Sequence, residues 1–380
     1  SKSRIPYTGP ITVTDRKGDA NVLSAIDPSL FDSANVKWDG TNKKFVSKVT
    51  PPENDEVDKA TVIRAVSQGS DGTYSEVETN TYFVGAMSEH IQGIEESCQA
   101  AGLDLAIMSI AVRQEDFFDP EKGIYVHGNV FDKALEEYLK TGFISDRNAV
   151  DVARSLDANY KQKGKEWERE AHIDYFESNG DTAECKLQQD CGIRMQGNYS
   201  RSDLQKGMRL YAREDYGKKN FKYDFFNGQA KNDDGEVIEK YKKLTLRNGG
   251  NCAFTTKYSD AYWQSLLKEL DCETQESRAC IVYLNGEYWG IYILQEEYDD
   301  NYFEETHGVN NDHVVLYKGD AEAEEIGYKL DEGELPEGET DVSYYFRDLL
   351  QFFETHKDLR DQKSYDEFAK LVDVESVRDY

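Results

Sequence analysis

Arg201, Lys206, Arg209, Arg213 and Lys218 crowd together in a chain that carries 74 acidic against 45 basic residues, a net charge of −29. They follow a glycine turn with hydroxyls, Gly197-Asn198-Tyr199-Ser200, which itself follows a short strand-like run, Gly192-Ile193-Arg194-Met195. Backbone N–H groups of such a turn, backed by Arg and Lys, suit a polyanion such as a nucleotide phosphate. The same residues fit a twisted hairpin whose cations pair with the abundant acids, each pair worth only ~0–1 kcal/mol. Other chemistries find no support. The sequence has no H-E-x-x-H, no G-x-S-x-G and no Walker A pattern. The cysteines at 98, 185, 191, 252, 272 and 280 form no C-x-x-C. Either Cys185/Cys191 and Cys272/Cys280 bridge locally, as in a secreted protein, or all six are reduced thiols.

At 380 residues and 38% hydrophobic content, the chain has room for two or three domains with a large core. A pI near 4.6 argues against nucleic-acid binding, which needs phosphate neutralisation over a wide face. No apolar run reaches 18 residues, so no membrane span is expected, and the opening SKSRIPYTG lacks the apolar h-region expected of a signal peptide.

The elements that must position the basic turn read as α+β. Residues 11–14, 61–66 and 74–84 alternate like strands of a small β-sandwich-like module spanning 1–84. Helical spacing follows at 87–101, and 105–112 (LAIMSIAV) reads as a buried strand. Residues 114–118 form a short turn or helix, and 148–165 a helix-prone connector. Strands are expected at 171–176, 192–195, 208–213 and 244–246, with a hairpin turn at Ser178-Asn179-Gly180. Ser259 is placed to cap a helix over 260–270. The clearest signal is a hairpin over 280–294, turned by Asn285-Gly286 between apolar runs. On it, Trp289 and Tyr292 are read as packing residues. Helical patterns return at 301–306, 342–355 and 364–371, and acid-rich 320–341 is read as an exposed loop. One helix between antiparallel hairpins, with strands of 171–294 in one sheet, resembles the small lobe of a kinase.

Four ordered segments carry a more specific resemblance. They are Met108-Ser109-Ile110 through Gly123-Ile124-Tyr125-Val126-His127-Gly128; Cys191 through Arg201 with Lys206 and Arg209; Leu246-Arg247-Asn248-Gly249-Gly250-Asn251; and Leu284-Asn285-Gly286-Glu287-Tyr288-Trp289-Gly290-Ile291-Tyr292 with Glu296. Together they resemble the CotH family, the spore-coat-type atypical protein kinases. Residues 1–84 resemble the chitobiase-type or immunoglobulin-like β module that precedes such domains, leaving 85–380 as an antiparallel-sheet, kinase-like domain. The resemblance implies ATP-dependent phosphoryl transfer to a protein substrate with Mg²⁺, and a secreted or cell-surface bacterial setting. It places Gly197, Asn198, Arg201, Lys206 and Arg209 near the phosphates and Glu296 at a connector near the adenine. Cys252 stands where many relatives carry Asp. The family's catalytic and metal-binding acids lie in a later region than Tyr380, so a truncated domain without catalytic turnover is expected, with no catalytic or metal residue assigned. A competing reading is a non-catalytic, carbohydrate-associated extracellular binding or scaffold protein.

Overall fold

In the computed structural model the described residues are 5–85, 93–94, 96–97, 100, 105–178, 183–319 and 327–380. The helix expected over 87–101 and the turn at Ser178-Asn179-Gly180 fall mostly outside them. The chain forms two compact units. The first comprises Ser1–Tyr223, Lys243–Lys257 and Arg278–Leu294; the second comprises Asp224–Lys242, Tyr258–Ser277 and Gln295–Tyr380.

The first unit begins with two small ladders. β1 (Val36–Asp39) pairs with β2 (Lys44–Ser47), and β3 (Thr61–Ala65) with β4 (Glu78–Tyr82), both antiparallel. Residues 11–14 are not a strand. Next come β5 (Ala106–Val112), β6 (Arg169–Ser178), β7 (Ala183–Gln196), β8 (Gly207–Tyr211), the short β9 (Phe221–Lys222) and, after a passage through the second unit that holds β10 (Lys240–Tyr241), β11 (Lys243–Arg247), β12 (Ser277–Leu284) and β13 (Glu287–Gln295). Seven of these close into a barrel in the order β11-β13-β12-β5-β6-β7-β8, sealed by an antiparallel β8–β11 seam that sets Thr245 opposite Arg209.

The strands expected at 192–195, 208–213, 244–246 and 280–294 therefore share one sheet, while β9 and β10 form a separate two-stranded one. The larger sheet differs in being closed and in one parallel pair, β5 with β12, where Met108 faces Val282. Every residue of β5 is buried, as an apolar strand covered on both faces must be. Its outer cover comes from the N-terminal segment: Ala60 and Phe83 pack with Ile107, Phe176, Ile281 and Tyr283. Residues 5–85 thus share the unit and the core of the barrel.

The β12–β13 hairpin turns through Asn285 (φ 50°) and Gly286 (φ 84°), the two left-handed positions of a type I′ turn. The Asn285 carboxamide oxygen accepts from Val112 N–H at 2.8 Å, and the Gly286 carbonyl accepts from Ala60 N–H at 2.7 Å.

In the second unit, a helix runs over Ser259–Leu266. Its cap position is Tyr258, with no side-chain cap bond, so Ser259 is the first helical residue and not the cap. A helix at Asp300–His307 is capped by Asp299, whose carboxylate accepts from Tyr302 N–H. The expected acid-rich loop contains a strand: β15 (Tyr328–Glu332) pairs with β14 (Leu316–Gly319). Helices at Arg347–Thr355, Gln362–Phe368 and Val374–Asp379 follow. Mixed helix and sheet bear out the α+β class.

Candidate functional site

The basic turn is the β7–β8 connection, residues 197–206. Gly197 adopts φ +107°, where any side chain is strained, and an added Cβ would lie 2.5 Å from Ser200 Oγ and 3.9 Å from Arg201 Cγ. Asn198 is exposed and precedes a single 3₁₀ turn, Tyr199–Ser202. Arg201 donates through Nη1 to the carbonyls of Lys161 (2.9 Å) and Gln162 (3.3 Å), while its buried Nε has no hydrogen-bond partner. Burial pulls its pKa down to about 10, and the charge of nearby Arg209 adds to that. The like charge of Arg209 disfavours the protonated form of Arg201 in the same direction as burial does.

Lys206 does not join them. It is fully buried, and its ammonium donates to the carbonyls of Phe31 (2.6 Å), Arg201 (2.8 Å) and Asp203 (2.8 Å). It also sits 4.1 Å from the Tyr160 ring centre. An ammonium has three donors, and all three are used, so the expected phosphate contact is corrected to a structural pin. Arg213 is also committed. Its Nε donates to Glu168 at 2.9 Å, while Arg194 donates to the other carboxylate oxygen at 2.8 Å. The Glu168 side chain is completely buried. Lys218 is exposed on the loop after β8.

Glu296 belongs to the second unit. Its N–H donates to the Glu276 carbonyl (3.1 Å), its carbonyl accepts from Gln275 Nε2 (2.6 Å), and Oε2 accepts from Glu276 N–H (2.8 Å). Burial pushes its carboxyl up to about 8. Both main-chain groups that a connector would offer an adenine are therefore already bonded within the unit.

The structure adds residues that the sequence reading passed over. The Lys257 ammonium donates to Gln205 Oε1 (2.7 Å) and the Asn248 carbonyl (2.9 Å), and Asn248 Nδ2 donates to the Gln205 carbonyl (2.8 Å). These bonds join the Asn248-Gly249-Gly250-Asn251 turn to the basic turn. Gly249 has φ +101°, and an added Cβ would meet Ala253 Cα at 3.0 Å. Arg154 pairs with buried Asp203 at 2.6 Å and lies 4.3 Å from the Tyr199 ring centre. Tyr125 OH donates to the Leu204 carbonyl and receives Trp289 Nε1–H. Tyr292 is fully buried, in keeping with packing roles for both hairpin aromatics. A single strand-length motif gives no sign of Lys257 or Arg154, which reach the turn only through tertiary packing.

The five described cysteines are free. Cys185 and Cys191 sit six residues apart on β7, about 20 Å at strand rise, far beyond disulfide reach.

Residues 193–380 match the family described as CotH kinase protein. This segment belongs to the CotH family. No curated protein matches the chain. The CotH segment starts inside β7 and so contains the basic turn, β8, the Asn248 turn, Lys257 and the β12–β13 hairpin. The first of the four sequence motifs, on β5 and the stretch up to Gly128, lies before it.

For an ATP polyphosphate, the residues present offer one unmet buried donor, Arg201 Nε. Magnesium finds no such fit. Among the described residues, no group of three or more His, Cys, Asp or Glu is arranged to hold a metal ion. Asp299 caps the 300–307 helix through Oδ1, and Asp300 accepts from Asn301 N–H. Asp320 lies outside the described residues.

Proposed function

We propose that the CotH segment is the nucleotide-binding part of an ATP-dependent phosphotransferase acting on protein, in a secreted or cell-surface setting. The observation that carries this reading is the buried Arg201 N–H left without an acceptor beside the Gly197 turn. A polyphosphate oxygen supplies that acceptor, and charge-assisted bonds of this type are about twice as strong as neutral ones. Phosphoryl transfer moves the terminal phosphoryl group of ATP to a protein hydroxyl, which loses its proton. No residue here is assigned to take it, and no step is routed through a metal.

Titration calorimetry with ATP, with and without Mg²⁺, tests the reading. In Arg209→Gln, ATP affinity falls by about ten-fold or more, above the ~0–1 kcal/mol of a surface ion pair, while the melting temperature moves little. A large melting-temperature loss with unchanged ATP affinity would instead make the cluster structural. Glycan binding without any nucleotide-induced thermal shift would favour the scaffold reading.

A further inference from the structure

The basic turn is held from a distant part of the chain. Glu287, at the start of β13 and 2% exposed, accepts from three consecutive N–H groups: Val22 (2.5 Å), Leu23 (3.1 Å) and Ser24 (2.7 Å). Nine residues on, the same segment reaches the turn. The Phe31 carbonyl accepts from Lys206, and Ser33 N–H donates to the Ser202 carbonyl at 2.9 Å. Between these points Leu23 and Phe31 are buried, Phe31 packs edge-on against Tyr125, and the Leu30 carbonyl accepts from His127 N–H. The Ser33 hydroxyl sits 2.8 Å from His127 Nε2 and 2.9 Å from Tyr160 OH.

We propose that residues 22–33 are a strap that fixes the shape of the 197–206 turn, with Glu287 and Lys206 as the positioning residues at its two ends. One ammonium joins strap to turn, since Lys206 binds Phe31 on the strap and Arg201 and Asp203 in the turn. The Arg201 carbonyl is therefore fixed by the same group that grips the strap, while its guanidinium is held by the Lys161 and Gln162 carbonyls. A turn already in its binding shape avoids the ordering cost that a loose one meets on association. The binding part of this inference rests on the nucleotide reading; the coupling of the two ends does not.

Amide hydrogen exchange on the full chain, paired with ATP titration, tests it in two variants. Lys206→Met keeps the side-chain length and removes the shared donor. Glu287→Gln acts far from the turn and keeps the side-chain shape, so it serves if Lys206→Met fails to fold. In both, amides of 22–24 and of 199–206 are expected to exchange about ten-fold faster or more, with β5 and β6 unchanged. ATP affinity is expected to fall several-fold alongside. If Glu287→Gln speeds exchange at 22–24 alone, the two ends are independent and no strap exists. If exchange is coupled but ATP affinity holds at its wild-type value, the strap does not position a ligand. A wild-type chain that binds no ATP sinks the nucleotide reading, and the exchange pattern still decides the strap.

Discussion

Five cations that look alike in sequence become different once their acceptors are known. Lys206 is saturated by carbonyls, Arg213 shares Glu168 with Arg194, and Arg201 keeps a buried N–H unmet. Nothing in the local sequence distinguishes them, because the deciding partners are Phe31 and Glu168, one far upstream and one on the approach to β6. Glu168 is the residue on which stability should depend most. Its carboxylate holds two guanidiniums, and Gly192 must lack a side chain because a Cβ there would fall 2.5 Å from Glu168 Oε1. Glu168→Ala leaves both arginines in a partly buried site without their carboxylate, and should cost about 3 kcal/mol, read as a lower urea midpoint. A loss below about 0.5 kcal/mol would mean the pair is no stronger than a surface one.

Among the elements, the β12–β13 hairpin was the most legible, because Asn-Gly between apolar runs encodes its turn locally. Gly286 combines a φ of +84° with a carbonyl, that of Ala60, only 2.4 Å from any added Cβ. Gly286→Ala should therefore lose about 2 kcal/mol or more, seen as a lower melting temperature with the fold retained. An unchanged melting temperature would show that the N-terminal cover moves aside freely. β5, β6, β8 and β11 were also legible, each from its own apolar pattern. Barrel closure was not. The β8–β11 seam and the parallel β5–β12 pair join strands far apart in sequence, and register between distant strands leaves no local signature. The strand inside the acid-rich stretch was missed for a related reason: Tyr328–Glu332 carries charges suited to an exposed ladder, and composition alone reads such a segment as loop. The candidate site was half legible. The turn and two of its cations could be found from glycine and charge spacing, while Lys257, Arg154 and the upstream strap could not.

For the molecule as a whole, stability depends on pH through groups whose pKa differs between the folded and unfolded states. His172 is the clearest. Its Nδ1 faces Asp190 at 2.7 Å and its Nε2 faces Asp174 at 3.1 Å, with Gln188 also donating to Asp174. Burial alone would lower its pKa, but hydrogen bonds to Asp174 and Asp190 carry it up to about 9. The folded value lies above the unfolded one of about 6.5. The imidazolium therefore stabilises fully below pH 6.5, and that contribution is lost as pH rises through about 9. Melting temperatures from pH 6 to 10 should fall in the wild type, and His172→Gln should flatten that part of the profile. Parallel profiles for the two proteins would assign the pH response to other groups.

The seam between β8 and β11 has a consequence for how this chain behaves when it is damaged. A closed sheet hides the edges of its strands where they pair, and at the seam Lys243–Leu246 and Met208–Tyr211 cover each other while the ring is intact. Parting that one seam would create two rims at once, both lined by apolar strands such as Leu244–Leu246 and Met208–Leu210. Self-association under heat, acid or proteolysis should therefore begin at this seam, and the chain's resistance to aggregation should depend on how well those two short strands stay zipped.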